Sequence, residues 1–108
     1  MEGKKSIVVL GSLNMDLVMT TPRIPAAGET MHGTSFDTHP GGKGLNQAMA
    51  TCQRLLHNTG WKTYMLGRVG EDEFADRLKA SLDKEGVDVS EVKPSTGKTS
   101  GVALIIVR

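Results

Sequence analysis

A glycine-rich loop in the first half of the chain carries the residue types best suited to binding chemistry. Residues 39–50 read HPGGKGLNQAMA, so a lysine lies among three glycines just before a run with helical spacing. Glycine backbone adopts positive φ and lets a ligand approach the main chain, and the start of a helix has unpaired N–H groups that point outward. Lys43 adds three donors, and Asn46 adds a donor and an acceptor. The pattern predicts a site for a polyhydroxylated ligand or a developing anion, although a tight turn with a solvated lysine accounts for the same residues.

The spacing of this loop excludes two phosphate-binding motifs. A Walker loop, G-x-x-x-x-G-K-[ST], needs a glycine where this chain has Asp37 and a hydroxyl residue where it has Gly44. The dinucleotide fingerprint G-x-G-x-x-G needs a third glycine where this chain has Gln47. The loop therefore matches neither nucleotide-binding motif.

A second segment, Gly97-Lys98-Thr99, ends like a Walker loop but fails the same test. The early glycine position holds Val92, and a strand-like run follows, whereas a phosphate loop leads into a helix. We therefore predict a polar hairpin turn there.

A pair of polar residues follows the first predicted strand. Residues 11–16 read GSLNMD, and in an extended chain the side chains of Asn14 and Asp16 point to the same side. A carboxylate beside a carboxamide can accept hydrogen bonds from two sugar hydroxyls. Taken alone, the pair is more typical of an Asx turn that ends the strand.

The order of apolar runs predicts an α/β fold. Strands are predicted at residues 5–10, 15–20, 30–38, 61–66, 87–92 and 101–107, with a turn at residues 25–29 and helices after the glycine loop and at residues 72–85. This order implies a largely parallel sheet with helices on its faces. The β-branched first run is consistent with a strand buried on both faces. Residues 15–38 contain few large apolar side chains, so we expect them to project from the core.

The two predicted helices each have one apolar stripe. The first consists of Leu45, Ala48, Met49, Cys52, Leu55 and Leu56 and ends at Asn58-Thr59-Gly60, and the second contains Phe74, Leu78 and Leu82. Gly86 is the predicted C-cap of the second helix. Four carboxylates, Glu71, Asp72, Glu73 and Asp76, are interpreted as charges of the helix N-terminus and of a solvated face.

Composition places the chain among ordinary globular proteins. It has 108 residues, 38% of them hydrophobic and 23% charged, which suffices for one small domain with a core. A net charge of +1 argues against nucleic acid or an anionic membrane as the main partner. The single cysteine, Cys52, excludes an internal disulfide and favours a reducing compartment.

Because the strand-like run at residues 101–107 has no polar tail, we expect the chain to be the first part of a longer protein.

Taken together, the segments resemble a known family. VVLGSLNMDLV followed by GGKGLNQAMA is similar to the amino-terminal part of ribokinases, in the ribokinase-like carbohydrate kinase family. The connecting PRIPAAGETMHG, the later LGRVGEDEF and the final TSGVALIIV also resemble successive segments of that family. The resemblance covers nearly the whole chain in order.

The resemblance implies a sugar site built from two segments. Asn14 and Asp16 would accept hydrogen bonds from ribose hydroxyls, and Lys43 and Asn46 would complete the clamp. Gly42 would allow close approach of the sugar. The implied substrate-binding set also includes three residues as pocket backbone: Met15, Gly44 and Leu45.

The resemblance also implies the fold and the reaction. It implies a truncated ribokinase-like fold, with a Rossmann-like, largely parallel sheet, flanking helices and a small β-sheet lid of strands at about residues 15–21, 31–38 and 100–107. The full-length protein would convert D-ribose and ATP to D-ribose 5-phosphate and ADP, with Mg-ATP and a monovalent cation, K⁺, as cofactors. It would form a homodimer through the lid, without nucleic-acid or membrane partners, in the cytoplasm or, in a eukaryote, also the nucleus.

The family's general-base aspartate, nucleotide site and cation site would lie beyond Arg108. No catalytic, cofactor-binding or metal-binding residue is therefore expected in this chain, which alone would not phosphorylate a sugar. Two alternatives stay open. One is a non-catalytic binding or dimerisation module derived from a ribokinase, and the other is a related kinase for another sugar or nucleoside.

Overall fold

A computed structural model describes residues 5–54 and 60–108 as alternating strands and helices. In chain order the elements are β1 (Ser6–Leu10), β2 (Asn14–Thr20), β3 (Ser35–Gly41), α1 (Lys43–Arg54), β4 (Lys62–Val69), α2 (Glu73–Lys84), β5 (Asp88–Pro94) and β6 (Gly101–Val107). Within the described ranges, neither 12-residue helix is long and apolar enough to cross a membrane.

The described strands form two three-stranded sheets. Sheet A has the order β1-β4-β5 and is parallel throughout, and sheet B has the order β3-β2-β6. In sheet B, β2 runs antiparallel to β3 and parallel to β6. The predicted α/β class with a separate small sheet is therefore confirmed. Sheet B is the candidate lid.

Both helices cover one face of sheet A. Helix α1 packs on β1 and β4, α2 packs on β5, and the two helices contact each other. The core between these layers includes Val9, Met65, Leu78 and Leu82, each less than 9% exposed.

The opposite face of sheet A corrects one prediction. Strand β1 was predicted to be buried on both faces, yet Val8 is 56% exposed and Leu10 is 79% exposed. The reason is that both helices lie on one side of the sheet and that β1 is an edge strand in the order β1-β4-β5. Its alternate side chains therefore face away from the core.

The second lid strand also lies further along the chain than predicted. A strand at residues 30–38, or about 31–38 from the family pattern, is replaced by β3 at Ser35–Gly41. Its register runs from Thr20 opposite Ser35 to Asn14 opposite Gly41. Pro40 and Gly41 are typical of loops, but β3 is an edge strand, where proline is tolerated.

The segment at Gly97 is a turn but does not form a hairpin. The backbone N–H of Lys98 donates to the carbonyl of Ser95 at 3.1 Å, as in a β-turn. However, β5 belongs to sheet A and β6 to sheet B, so the two strands do not pair. The turn instead carries the chain from one sheet to the other.

Both helices follow their sequence signals. Leu45 and Ala48 of the α1 stripe are buried, and Met49 and Cys52 pack partly against the core. Leu55, Leu56 and the predicted stop at Asn58-Thr59 lie outside the described residues.

Helix α2 has a complete cap at each end. Its N-cap Asp72 accepts from the Ala75 N–H at 2.9 Å. The N–H groups of Gly86 and Val87 bond back to the carbonyls of Asp83 and Leu82, which is a Schellman motif, and Gly86 has the φ of 93° that this motif requires. The C-cap residue itself is Glu85, so the predicted glycine lies one position further on, at the left-handed residue that follows the cap.

We expect stability to fall in acid partly through Asp88. Hydrogen bonds from the Ser90 hydroxyl and backbone N–H, with a smaller contribution from Lys62, lower the pKa of Asp88 from 3.8 to about 2. The carboxylate therefore stabilises the fold above the unfolded-state pKa, and this contribution is lost as pH falls toward about 2. Urea unfolding between about pH 2 and 5 should show a smaller loss of stability for Asp88→Asn than for wild type. Parallel pH profiles for the two proteins would contradict this.

Candidate functional site

The residues Asn14 and Asp16 lie side by side at the start of β2. The Asn14 Nδ2 donates to Asp16 Oδ1 at 2.9 Å, and both residues are half-buried. Met15, between them, is fully buried in the core, as expected for a side chain on the opposite face of the strand. Because the amide of Asn14 is engaged with the carboxylate, each side chain fixes the orientation of the other.

The glycine loop packs directly against this pair. A Cβ added to Gly41 would lie 2.7 Å from Asp16 Oδ2, and one added to Gly42 would lie 3.0 Å from Asn14 Oδ1. Gly42 has φ of 102°, a conformation that favours glycine. The missing side chains therefore leave room for the carboxylate and carboxamide, a role in addition to the close approach of a sugar expected from the sequence.

A contact between two further glycines seats the start of α1 on the β1–β2 loop. A Cβ on Gly44 would lie 2.6 Å from the Gly11 carbonyl carbon and 2.7 Å from Ser12 N, and a Cβ on Gly11 would lie 2.8 Å from Gly44 Cα. The Leu45 N–H donates to the Ser12 carbonyl at 3.0 Å across this contact. The backbone approach brings the two candidate segments together.

This hydrogen bond corrects one detail of the sequence interpretation. Several helix N–H groups were expected to be unpaired and to point outward from α1. The Leu45 N–H is instead held by the Ser12 carbonyl, and the Asn46 N–H makes the ordinary i→i−4 helical bond to the Gly42 carbonyl at 3.0 Å. One donor of the first turn, the Leu45 N–H, therefore docks α1 on the β1–β2 loop.

The remaining predicted site residues divide into two groups. Lys43 and Asn46 are exposed on the first turn of α1 and, being three residues apart, share a face of the helix. Leu45 is 2% exposed and belongs to the core, and Gly44 is buried against Gly11. Asn14 and Asp16 are thus half-buried and Lys43 and Asn46 exposed, while Met15, Gly44 and Leu45 are buried behind them.

Sequence reasoning missed a second role of Asp72. Its carboxylate accepts from the backbone N–H and the hydroxyl of Ser100, each at 2.7 Å, in addition to capping α2. The Ser100 backbone N–H, followed by the Ser100 hydroxyl, lowers the pKa of Asp72 below its ordinary value. A serine just before a strand gives no signal of such a partner, because the two residues are 28 positions apart.

Two open depressions lie away from the Asn14–Asp16 pair. One, of about 410 Å³, includes Glu71, Asp76 and Lys79 beside α2, and the other, of about 450 Å³, includes Lys62, Asp83 and Asp88. No group of three or more His, Cys, Asp or Glu side chains within residues 5–54 and 60–108 is arranged to hold a metal ion. The polar pair at the glycine loop is therefore the candidate site that the motifs and the geometry share.

Comparison with known proteins gives the family. Residues 4–108 match the profile of the pfkB family carbohydrate kinases. The chain therefore belongs to the pfkB carbohydrate kinase family, and the resemblance inferred from the glycine loop and the Asn-x-Asp segment is confirmed.

Relatives within that family include ribokinases. The chain is 50% identical over 104 residues to the ribokinase of Schizosaccharomyces pombe and 42% identical over 102 residues to that of Bacillus subtilis, matches that each cover 94% of this chain. It spans about a third of the length of these relatives, 32% and 33%. Its fold is similar to the solved structure of Arabidopsis thaliana ribokinase complexed with ribose and ATP, with a TM-score of 0.84 and 31% identity over 95% of this chain and 32% of that one. The predicted Rossmann-like fold, a largely parallel sheet with helices and a small second sheet, is therefore confirmed.

We expect Gly44→Ala to damage the docking of α1. The new Cβ would meet backbone atoms of residues 11 and 12, which can yield only if the helix moves, and overpacking of this kind costs roughly 1–3 kcal/mol or more. Gly28→Ala is the control, because a Cβ at Gly28 would lie in open space. Only the φ of 75° opposes this substitution, and we expect it to lower the free energy of unfolding by about 1 kcal/mol. Urea unfolding measures both values. A Gly44→Ala loss no larger than that of Gly28→Ala would contradict the tight contact.

Proposed function

We propose that this chain is the sugar-binding and lid portion of an ATP-dependent ribokinase. The full-length protein transfers the γ-phosphoryl group of ATP to D-ribose and releases D-ribose 5-phosphate and ADP. The observation that carries this proposal is the Asn14–Asp16 pair, hydrogen-bonded at 2.9 Å and enclosed by Gly41 and Gly42. Similarity to the ribokinases of two organisms supports the choice of ribose.

The site binds ribose through complementary hydrogen-bonding groups. A carboxylate only accepts hydrogen bonds, so Asp16 selects hydroxyl groups that donate. Lys43 donates to a second hydroxyl, and Asn46 supplies both a donor and an acceptor. Contacts of this kind from the three residues hold the sugar in one orientation, which is the main requirement for phosphoryl transfer.

Sheet B serves as the lid. Its central strand, β2, carries Asn14 and Asp16 at one end, so movement of the sheet and closure of the sugar site are linked. A lid excludes water, which would otherwise compete with the sugar hydroxyl as acceptor of the phosphoryl group.

The nucleotide and the catalytic base belong, in this proposal, to the part of the relatives' length that the chain does not span. The Arabidopsis thaliana ribokinase structure contains ribose and ATP together, and Mg-ATP would supply the phosphoryl group, with K⁺ as the expected activating cation. The described carboxylates do not fit that magnesium ion: Asp72 already accepts from Ser100 and Ala75, and no metal-binding group of three is formed within the described ranges. We assign this chain the tasks of binding and orienting the sugar.

We expect Asp16→Asn to remove most ribose turnover by the full-length protein. The asparagine can still accept the Asn14 hydrogen bond through its carbonyl oxygen, so the fold should persist, but the charged acceptor for the sugar is lost. Loss of a charge-assisted hydrogen bond predicts a fall in kcat/KM for ribose of roughly 10- to 100-fold. A coupled assay of ADP release measures it.

The matched control for this test is Asp37→Asn. Asp37 lies on the neighbouring strand of sheet B, opposite Val18, and is exposed. Its substitution should leave ribose kinetics within about twofold of wild type. Equal kinetics for Asp16→Asn and wild type would remove Asp16 from the site, and turnover of a nucleoside but not of ribose would assign another substrate.

We also propose that the lid forms the homodimer interface. Val102, Leu104 and Ile106 alternate along β6 and therefore share one face, on which they are 52%, 73% and 41% exposed. Contiguous exposed apolar surface of this kind is typical of protein–protein contacts. Two lids that pair through this face would cover it.

We expect the 108-residue chain to self-associate through this face. Leu104→Glu places a charge in the centre of the patch and should weaken association at least about tenfold, because burial of an unpaired charge costs several kcal/mol. Thr96→Glu, in the exposed turn before β6, is the control. Sedimentation equilibrium measures both variants. A monomeric wild type at all concentrations, or equal association of Leu104→Glu and Thr96→Glu, would contradict the interface.

A further inference from the structure

The start of β6 is held to the core by a compact network around Asp72. One carboxylate oxygen, Oδ1, accepts from the Ala75 N–H at 2.9 Å and from the Ser100 hydroxyl at 2.7 Å. The other, Oδ2, accepts from the Ser100 N–H at 2.7 Å. The Ser100 Oγ in turn accepts from the Gly70 N–H at 3.0 Å. Both carboxylate oxygens of Asp72 are therefore engaged, and Ser100 joins two segments of the chain.

Close packing reinforces this network. Ser100 is only 4% exposed, and a Cβ on Gly70 would overlap the backbone of Thr99 and Ser100. The next residue along, Glu71, donates its N–H to the Lys98 carbonyl at 2.9 Å, and its carboxylate accepts from the Gly97 N–H. Residues 97–100 thus lie along residues 70–72. We call these two segments, joined by Asp72 and Ser100, the latch.

The latch lies next to the sugar-binding residues through the pairing of β6 with β2. Ser100 immediately precedes Gly101, which is the register partner of Asn14, and Ala103 is the partner of Asp16. A Cβ on Gly101 would be in van der Waals contact with the Cβ of Asn14, at 3.4 Å. The position of β6 therefore affects the Asn14 and Asp16 side chains through one strand pairing.

Capping of α2 alone does not explain this arrangement. An N-cap residue needs only one bond to a backbone N–H of the first turn, and the Ala75 contact satisfies it. The two bonds to Ser100 add nothing to the helix, since they reach across 28 residues to the lid. These two hydrogen bonds instead fix the position of β6.

We propose that Asp72 is a positioning residue for the sugar site: through Ser100 it fixes β6 against β2 and so holds Asn14 and Asp16 in the geometry that binds ribose. This role rests on the proposed function and extends it to a residue that does not touch the substrate. Loss of the latch should therefore affect the binding of ribose and not that of ATP, because the latch lies beside Asn14 and Asp16.

The test is steady-state kinetics of the full-length protein with separate KM values for ribose and ATP. Asp72→Asn keeps a good N-cap residue, because asparagine caps helices as well as aspartate does, but it loses the charged acceptor for Ser100. We expect the KM for ribose to rise roughly five- to tenfold, as for the loss of about one hydrogen bond, while the KM for ATP changes less than about twofold. A variant that was only less stable would lower the amount of active enzyme and leave both KM values unchanged.

Two further variants keep the proposal falsifiable. Asp76→Asn removes the same charge from the first turn of α2 without touching Ser100 and should leave both KM values unchanged. Ser100→Ala leaves the cap intact and removes the hydroxyl that joins Asp72 to Gly70, so it should raise the KM for ribose even if Asp72→Asn fails to fold. Equal ribose KM values for Ser100→Ala and Asp76→Asn would overturn the proposal. A Ser100→Ala variant whose KM for ATP rose as much as its KM for ribose would also overturn it.

Failure of the proposed function has a different signature. If the wild-type protein does not phosphorylate ribose, that function fails, and the latch is then judged by amide hydrogen exchange of the 108-residue chain. Faster exchange at residues 101–104 in Ser100→Ala than in Asp76→Asn would support the structural link between Asp72 and β6. Equal exchange in the two variants would overturn it.

Discussion

The site depends on the approach of two glycines. Gly11 directly follows β1 and Gly44 lies in the first turn of α1, and a side chain on either residue would collide with the backbone of the other segment. Only at this separation does the Leu45 N–H reach the Ser12 carbonyl. The helix start and the β1–β2 loop are thereby fixed to each other, and Gly42 arrives beside Asn14. The polar residues of the site come from segments about 30 positions apart, and this backbone contact brings them together.

The second constraint on the site is the connection between the two sheets. Sheet A carries both helices and most of the core, whereas sheet B contributes Met15 to the core and has much of its apolar surface exposed. The N-terminus of α2 attaches sheet B to the core through Asp72 and Ser100. Another contact joins Arg77 of α2 to the Thr38 hydroxyl of β3 at 2.6 Å. Helix α2 and its N-cap residue therefore contact β3 and the residue that precedes β6.

Much of the fold could be predicted from the sequence because its signals are local. The apolar stripe of α2, the acidic residues at its start and the glycine at position 86 indicate the helix from the sequence, and the structure has a helix at Glu73–Lys84. Strand β3 was placed too early, because Pro40 and Gly41 are typical of loops unless the strand is known to lie at a sheet edge. The exposure of Val8 and Leu10 could not be read from a β-branched run, since it depends on which face the helices cover.

The sequence indicated which residues to propose for the candidate site, but not which contacts hold them in place. The alternation of Asn14 and Asp16 and the glycine loop are visible in the sequence, whereas the partners of Gly44 and Asp72 lie 33 and 28 positions away. Such pairs leave no periodic pattern. The neighbours of the glycine loop, which are Asn14, Asp16 and Ser12, are likewise visible only in the structure.

The most direct test of this account is an NMR titration of the ¹⁵N-labelled protein with D-ribose and, separately, with ATP. D-Ribose should shift the amide signals of residues 14–16 and 41–46, and ATP should leave those signals in place. Shifts of the same residues by ATP, or ribose shifts confined to the depression beside Glu71 and Asp76, would contradict the assignment of the glycine loop to the sugar.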